Sequence, residues 1–353
     1  MTNFVERCDA REFRQDILSL FARNGSKMSA PYFDWYYGRN GSSTVLSWVL
    51  RGSAERSIGG LCSVIPRTFR FGDRLVRVGV VGNLIVDTES RAIGGPALLR
   101  SVQSSVSNKQ FDILLGMPTL GAPMRLILRM GFRTIAAWQT FVQIFRSRTA
   151  LYARYGAAGV ALSPLVDFGG AVRRLFSSFR GRCVSNVAFV DLTHDQVACL
   201  SAESWPLVND RFLPDLSGEM IEWQFLRRPL ESYRVIGILD RPYKRIVGLL
   251  VVDCSRGRMI ICHCRTDLRR LSEPDAIMSL CHDTSRDSEL IGVITLRGST
   301  LSGFLERSAF IALPPRFGGE DHSLIGFWRP DHPLAQYFSV PYRWNVFPGF
   351  NDV

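Results

Sequence analysis

Apolar residues recur at helical spacing over residues 13–22, where Phe13, Ile17, Leu20 and Phe21 share one face, and this predicts an amphipathic helix. Residues 32–37 read as a second short helix that carries aromatic side chains into a core. The pattern then changes to strand-like runs at 44–50, 59–71 and 75–86, with Phe71-Gly72-Asp73-Arg74 as a hairpin turn between the last two. A glycine-containing loop, 91–96, leads into a helix whose apolar positions are Leu98, Leu99, Val102 and Val106. A buried strand (111–115), a helix (124–130) and two strand segments (132–135 and 137–145) follow. Strands, a loop-capped helix, a strand, a helix and strands predict an α/β (α+β) mixed sheet.

The same pattern returns faintly later in the chain. The run starting at Trp35 is echoed by one starting at Trp223, each tryptophan preceded by an acid, Asp34 or Glu222. At the same offset Ile58-Gly59-Gly60 meets Ile246-Val247-Gly248, and Leu128 to Phe132 resembles Leu305 to Phe310 at a slightly shorter one. Three matches in order imply two copies of one fold. Strands at 184–189, 233–239, 246–253, 258–265 and 290–296, with helices at 274–281 and 301–306, are expected in the second copy. Residues 149–179 have helical spacing interrupted by glycine and proline, and read as a connector packed between the copies. The division expected is 1–147, a connector at 148–182, and 183–353. The tail, with Trp344, Phe347 and Phe350, reads as a closing strand.

Composition supports folded domains, with 46% hydrophobic and 21% charged residues in 353 positions. The 43 Lys and Arg exceed the 32 Asp and Glu, for a net charge of +11. Such a surface favours nucleotides, phosphorylated cofactors, nucleic acid or acidic membrane. The longest weakly polar stretch, 156–164, is shorter than the ~20 apolar residues that span a bilayer. The charged start of the chain has no apolar core of a secretory signal. Eight scattered cysteines read as reduced thiols of a cytoplasmic protein.

The segment with most chemistry in it runs from Leu84 to Leu99. A strand carrying Leu84, Ile85 and Val86 ends in a polar turn, and Gly94-Gly95 opens the helix that follows. Glycines there let main-chain N–H groups approach a ligand, and the helix N-terminus adds about half a positive charge, which suits a pyrophosphate. A Gly-Gly helix start is also what an ordinary turn provides. The segment resembles the acyl-CoA-binding region of the GNAT N-acyltransferase superfamily, in which a strand valine precedes Arg/Gln-x-x-Gly-x-Gly/Ala and a helix. Val86 lies five residues before Arg91, and Arg91-x-x-Gly94 is intact, while the third small residue is replaced by Pro96. The strand from Phe111 and the Leu128-x-x-Gly131-Phe132 turn resemble the family's next elements.

The resemblance implies that Leu84, Ile85, Val86, Arg91, Ala92, Ile93, Gly94, Gly95 and Ala97 bind acetyl-CoA or another acyl-CoA. It implies attack of an amine on a thioester, with the Val86 N–H as oxyanion donor. The tyrosine the family often places before the Gly-Phe turn is Ile127, and the frequent asparagine falls near Thr119, so no catalytic residue is assigned. The expected function is N-acyl transfer, most simply acetyl transfer to a small metabolite or sugar. A catalytically inactive double-GNAT protein that binds a ligand or partner is the alternative, and nucleic-acid binding by the arginine-rich stretches trails both. The second copy's loop, Leu268 to Pro274, lacks glycine and is expected to hold no cofactor. Cys262-His263-Cys264 with Cys281-His282 has ligand types, yet buried strand cysteines are preferred to a metal site. The oligomeric state is not read from the sequence.

Overall fold

The structure is a computed structural model that describes residues 5–26, 28–38, 44–52, 58–118, 121–178, 186–200, 211–214, 217–229, 231–255, 258–267, 271–284, 288–308, 310–314 and 322–347. The first half contains β1 (Val5–Cys8), α1 (Arg14–Arg23), α2 (Ala30–Tyr37), β2 (Leu46–Arg51), β3 (Ile58–Phe71), β4 (Arg74–Val86), α3 (Arg91–Ser107), β5 (Ile113–Gly116), α4 (Ala122–Arg129) and β6 (Arg133–Ile144). Two helices follow, α5 (Arg148–Tyr155) and α6 (Ala157–Ser178). The second half contains β7 (Val187–Asp191), α7 (His194–Ala198), β8 (Phe212–Pro214), α8 (Gly218–Ile221), β9 (Tyr233–Asp240), β10 (Arg245–Ser255), β11 (Arg258–Thr266), α9 (Glu273–Thr284) and β12 (Leu290–Leu296). It closes with α10 (Thr300–Arg307), β13 (Ile311–Ala312), β14 (Ser323–Trp328) and α11 (Ala335–Phe338).

Most predicted elements form where the apolar periodicity places them. The β3–β4 hairpin turns at Gly72, whose φ of 59° suits the first position of a two-residue hairpin loop. The two strand segments expected across 132–145 are one strand, β6, because its two ends belong to different parts of the sheet. Strand β14, absent from the sequence reading, pairs with β5 through Ile325↔Gly116 to Trp328↔Ile113, and with the start of β6. The rest of β6 pairs with β12, from Trp138↔Leu296 to Ile144↔Leu290. Among the described residues one mixed sheet results, in the order β1-β2-β3-β4-β5-β14-β6-β12-β11-β10-β9-β7, with β8 on β3 and β13 on β6.

The repeat is visible in this order. In the first half an antiparallel pair, β3–β4, is followed by α3 and by β5 parallel to β4. In the second half β10–β11, α9 and β12 repeat that arrangement. Trp35 on α2 and Trp223 stack at the junction with ring centroids 5.0 Å apart and planes at 14°. Each indole donates to the other's backbone carbonyl, Trp35 Nε1 to Trp223 O at 2.8 Å and Trp223 Nε1 to Trp35 O at 3.2 Å. The guanidinium of Arg67 lies over the Trp223 ring and that of Arg228 over the Trp35 ring. This reciprocal contact satisfies both indole N–H groups while burying Trp223 and half-burying Trp35.

Two other expectations change. The tail is not a closing strand: α11 and a short turn lead to Trp344, which makes a single bridge to Phe212, and Phe350 lies outside the described residues. Trp344 and Phe347 are fully buried, so docking comes from aromatic packing and not from a ladder. Helices α5 and α6 form a hairpin at Gly156 (φ 60°) instead of a layer packed between the copies; several of their large side chains are exposed.

Two predictions follow from the exchange and the tryptophan pair. A fragment of residues 1–147 should fail to fold, because without β14 it leaves facing edges of β5 and β6 unpaired; its circular dichroism should show no cooperative urea transition. In the full chain, Trp223→Ala should cost about 3–5 kcal/mol. A double-mutant cycle with Trp35→Ala should return a coupling of about 1 kcal/mol in urea titrations.

Candidate functional site

Strand β4 runs beside two neighbours that treat it differently. Pairing with β3 continues to Val86, whereas the parallel pairing with β5 stops at Val81↔Gly116. The sheet therefore opens along Gly82 to Val86. The opening begins at a bulge: Ser63 faces Gly82 and Leu61 faces Ile85, so Asn83 and Leu84 together oppose Cys62. Asn83 has φ 47°, a left-handed conformation that asparagine tolerates better than most residues. Its Nδ2 donates to Tyr37 Oη at 3.2 Å, and that hydroxyl is 2.7 Å from Ser63 Oγ. Burial pushes the Tyr37 phenol up, so it stays protonated and holds the bulge as a neutral partner.

The bulge shifts the alternation of side chains. Val76, Val78 and Val80 face the core shared with α1 and α2, and after the bulge that role passes to the odd-numbered Ile85. Val86 instead packs with Leu98 and Leu99 of α3 on the other face. Gly82, Asn83, Leu84 and Ile85 line a cavity of about 450 Å3. Its other walls include Phe21, Leu99, Met117, Ile127, Phe132 and Ile325, the last supplied by β14. Among the described lining residues there is no carboxylate, histidine or cysteine, and the polar side chains are those of Ser26 and Asn83. Thr119 lies outside the described residues.

The structure places the sequence-derived residues in three environments. Leu84 and Ile85 line the cavity. Val86 is buried beside α3, and the Asp87 N–H donates to Gly59 O at 2.8 Å. Since successive N–H groups of a strand point to opposite sides, the Val86 N–H is directed away from β3, toward the opening. Arg91, Ala92 and Ile93 are exposed on the first turn of α3, with Ala97 half-buried further along. Gly94 and Gly95 are buried, and they do not form an open loop: the chain is already helical from Thr88, as a short 3-10 turn running into α3. A Cβ on Gly94 would lie 2.5 Å from Leu50 Cδ2, and one on Gly95 3.2 Å from Leu126 Cδ2. Both glycines therefore let α3 sit close to the sheet and α4. Pro96 is accommodated inside α3.

Cationic groups gather where α3 begins. Arg91 donates through Nε to Val86 O at 3.1 Å and through Nη2 to Asn24 Oδ1 at 3.0 Å. Arg23 pairs with Asp87 at 2.9 Å and reaches Ile58 O. These two arginines stand beside two acids, Asp87 and Glu89 of the 3-10 turn, so their charges are balanced by side chains and the free N–H groups at the helix N-terminus supply the local positive potential.

The second copy repeats the opening but fills it. Pairing of β11 with β12 ends at Ile261↔Val293, and a bulge opposite Val251 and Val252 follows. Owing to that bulge Cys262 and Cys264 pack on opposite faces, whereas the alternation of a regular strand would place both on one. His263 is buried and meets Phe347 edge-on at 5.6 Å; desolvation lowers its pKa to about 3. At the start of α9 the buried Glu273 accepts from Asn345 Nδ2 at 2.6 Å. Burial raises the pKa of the Cys62 thiol to about 12 and pushes Cys264 well above its ordinary value, so neither is a ready thiolate. Among the described residues no group of three potential metal ligands exists.

No protein-family model matches the sequence, and no curated protein matches it. Solved structures do match in fold, and the fold is that of the GNAT acyltransferases. A conserved protein of Enterococcus faecalis V583, described as a probable N-acyltransferase, superposes with a TM-score of 0.61 at 9% identity, over 92% of this chain and 72% of the other. A GCN5-related N-acetyltransferase from Anabaena variabilis gives 0.58 at 12% identity, over 92% and 73%. The N-myristoyltransferase of Saccharomyces cerevisiae, solved with bound myristoyl-CoA and inhibitors, gives 0.53 at 13% identity, over 93% and 80%. The likeness therefore extends across both copies.

The packing of Gly94 yields a prediction. Gly94→Ala should destabilise the protein by about 1–3 kcal/mol through overpacking against Leu50, and Gly94→Arg should prevent folding. Urea midpoints and thermal melts measure both; an unchanged melt for Gly94→Arg would contradict the close packing of α3.

Proposed function

We propose that the protein is an acyl-CoA-dependent N-acyltransferase whose working site is the β4–β5 opening of the first copy. The observation that carries this reading is the conjunction of that opening, its 450 Å3 apolar cavity, and a helix N-terminus flanked by Arg23 and Arg91. In this reading the CoA phosphates lie at the first turn of α3, near Arg91, Ala92 and Ile93. The thioester enters the opening beside Leu84 and Ile85, and the Val86 N–H stabilises the oxygen charge that develops there. Amine nitrogen bonds to the acyl carbon, the C–S bond breaks, the amine loses a proton, and the thiolate gains one. With no ionisable side chain among the described residues that line the cavity, water relays are assigned both proton transfers.

The simplest donor is acetyl-CoA, and the acceptor an amine of a small metabolite or sugar. Residues 1–147, completed by β14, form the catalytic copy, 148–182 the helical connector and 183–353 the degenerate one. The second copy is assigned no acyl-CoA, since Phe347 packs beside its strand end and Glu273 stands at its helix start. The site is placed in the cytoplasm, in keeping with free thiols at all seven described cysteines. A second reading, binding without turnover, is favoured by the lack of a base among the described residues that line the cavity.

The test is calorimetric titration with acetyl-CoA and longer acyl-CoAs, followed by amine acceptors with thiol-release detection. One donor per chain is expected. Leu99→Trp, which fills the cavity, should weaken acyl-CoA binding at least about tenfold, or 1.4 kcal/mol. Binding without thiol release for any amine would select the second reading, and no acyl-CoA binding would refute both.

A further inference from the structure

Helix α6 is amphipathic in the inverted sense. Gly159 and Ser163 are buried, while Asp167 and Gly170 are half-buried; these positions recur at spacings of three and four and define one inward stripe. The stripe is attached by polar contacts. The Ser147 backbone N–H donates to Asp167 Oδ1 at 2.7 Å, and Ser147 Oγ donates to Ser163 O at 3.3 Å. At Gly159 a Cβ would lie 2.1 Å from Leu151 O, so the two helices of the hairpin touch closely. The large apolar residues point the other way. Leu165 and Phe168 are each 70% exposed, Leu162 is 50% exposed, and Val166 is exposed beside them. Tyr152 and Tyr155 of α5 are exposed as well. A helix in water ordinarily reverses this distribution.

Charge indicates what covers this face. Helices α5 and α6 carry Arg148, Arg154, Arg173 and Arg174 against a single acid, Asp167, and that carboxylate is engaged with Ser147. The sequence on either side adds Arg146, Arg180 and Arg182. Two copies of so cationic a segment would bring like charges together. Leucine and phenylalanine at its centre do not suit a nucleic-acid backbone. An exposed apolar and tyrosine face on a segment whose sequence is rich in arginine suits an anionic lipid surface, where apolar groups enter the headgroup boundary and cations of the segment meet lipid phosphates. No helix among the described residues is long and apolar enough to cross a membrane, so the hairpin would lie on the surface.

We propose that the outward face of the α5–α6 hairpin docks the protein on an anionic bilayer. The experiment is flotation of the full-length protein with vesicles of phosphatidylcholine, alone or with about one third phosphatidylglycerol. Binding to the anionic vesicles should be at least about tenfold tighter than to the neutral ones, and should weaken as salt is raised. The variant Leu165→Glu/Phe168→Glu should lose it while its circular dichroism and thermal melt remain unchanged. The milder Phe168→Ser should lose part of it, which keeps the test decisive if the double variant misfolds. No binding to anionic vesicles, or undiminished binding by the folded variants, would overturn the proposal. A wild-type dimer in size-exclusion chromatography that Leu165→Glu/Phe168→Glu converts to monomer would also overturn it, assigning the face to a second copy.

Discussion

Pairing of β14 between β5 and β6 is the constraint on which the rest of this structure depends. β5 is four residues long and parallel to β4, so one set of ladder bonds would hold it weakly. The second half supplies its other neighbour, and the first half in turn sends β6 alongside β12. Each half thus completes the other's sheet. The site inherits this dependence: β5 is held on one side by β14 while the bulged end of β4 diverges on the other, and Ile325 of β14 reaches the cavity wall.

The two copies apply one device and reach different results. Both contain a bulge close to where the parallel pairing ends, and in both the bulge exchanges the faces to which the strand's side chains point. In the first copy Asn83, Tyr37 and Ser63 secure the bulge with neutral hydrogen bonds and leave an apolar cavity beside it. In the second, Phe347 packs against His263, and a buried carboxyl stands where a ligand's phosphate would need a donor.

Outside the sheet, the α5–α6 hairpin places its polar stripe inward and its apolar stripe outward. Sequence periodicity alone gives the amphipathic character of such a helix but not its orientation, because either stripe can be the buried one. Here Ser147, Asp167 and the close approach at Gly159 decide it.

The sequence by itself determined the local elements and the repeat. The runs of apolar residues in β2 to β4, the turn at Gly72 and the periodicity of α3 are set by neighbours within a few positions, and the equivalence of Trp35 and Trp223 was legible from spacing. The Gly94-Gly95 signal marked the right helix, yet its physical role lies in packing against Leu50 and Leu126, which no local pattern reveals. The break in alternation at Gly82-Asn83 was a signal for the bulge: Val76, Val78 and Val80 point one way, and Ile85 continues their face out of phase. Tertiary structure alone decided that β14 enters the first sheet, that β6 is one strand serving both halves, and that the tail docks through Trp344 and Phe347. Those outcomes depend on backbone hydrogen bonds and ring contacts between residues far apart in the chain, and short-range hydrophobic patterning carries no information about which distant edge a strand will join.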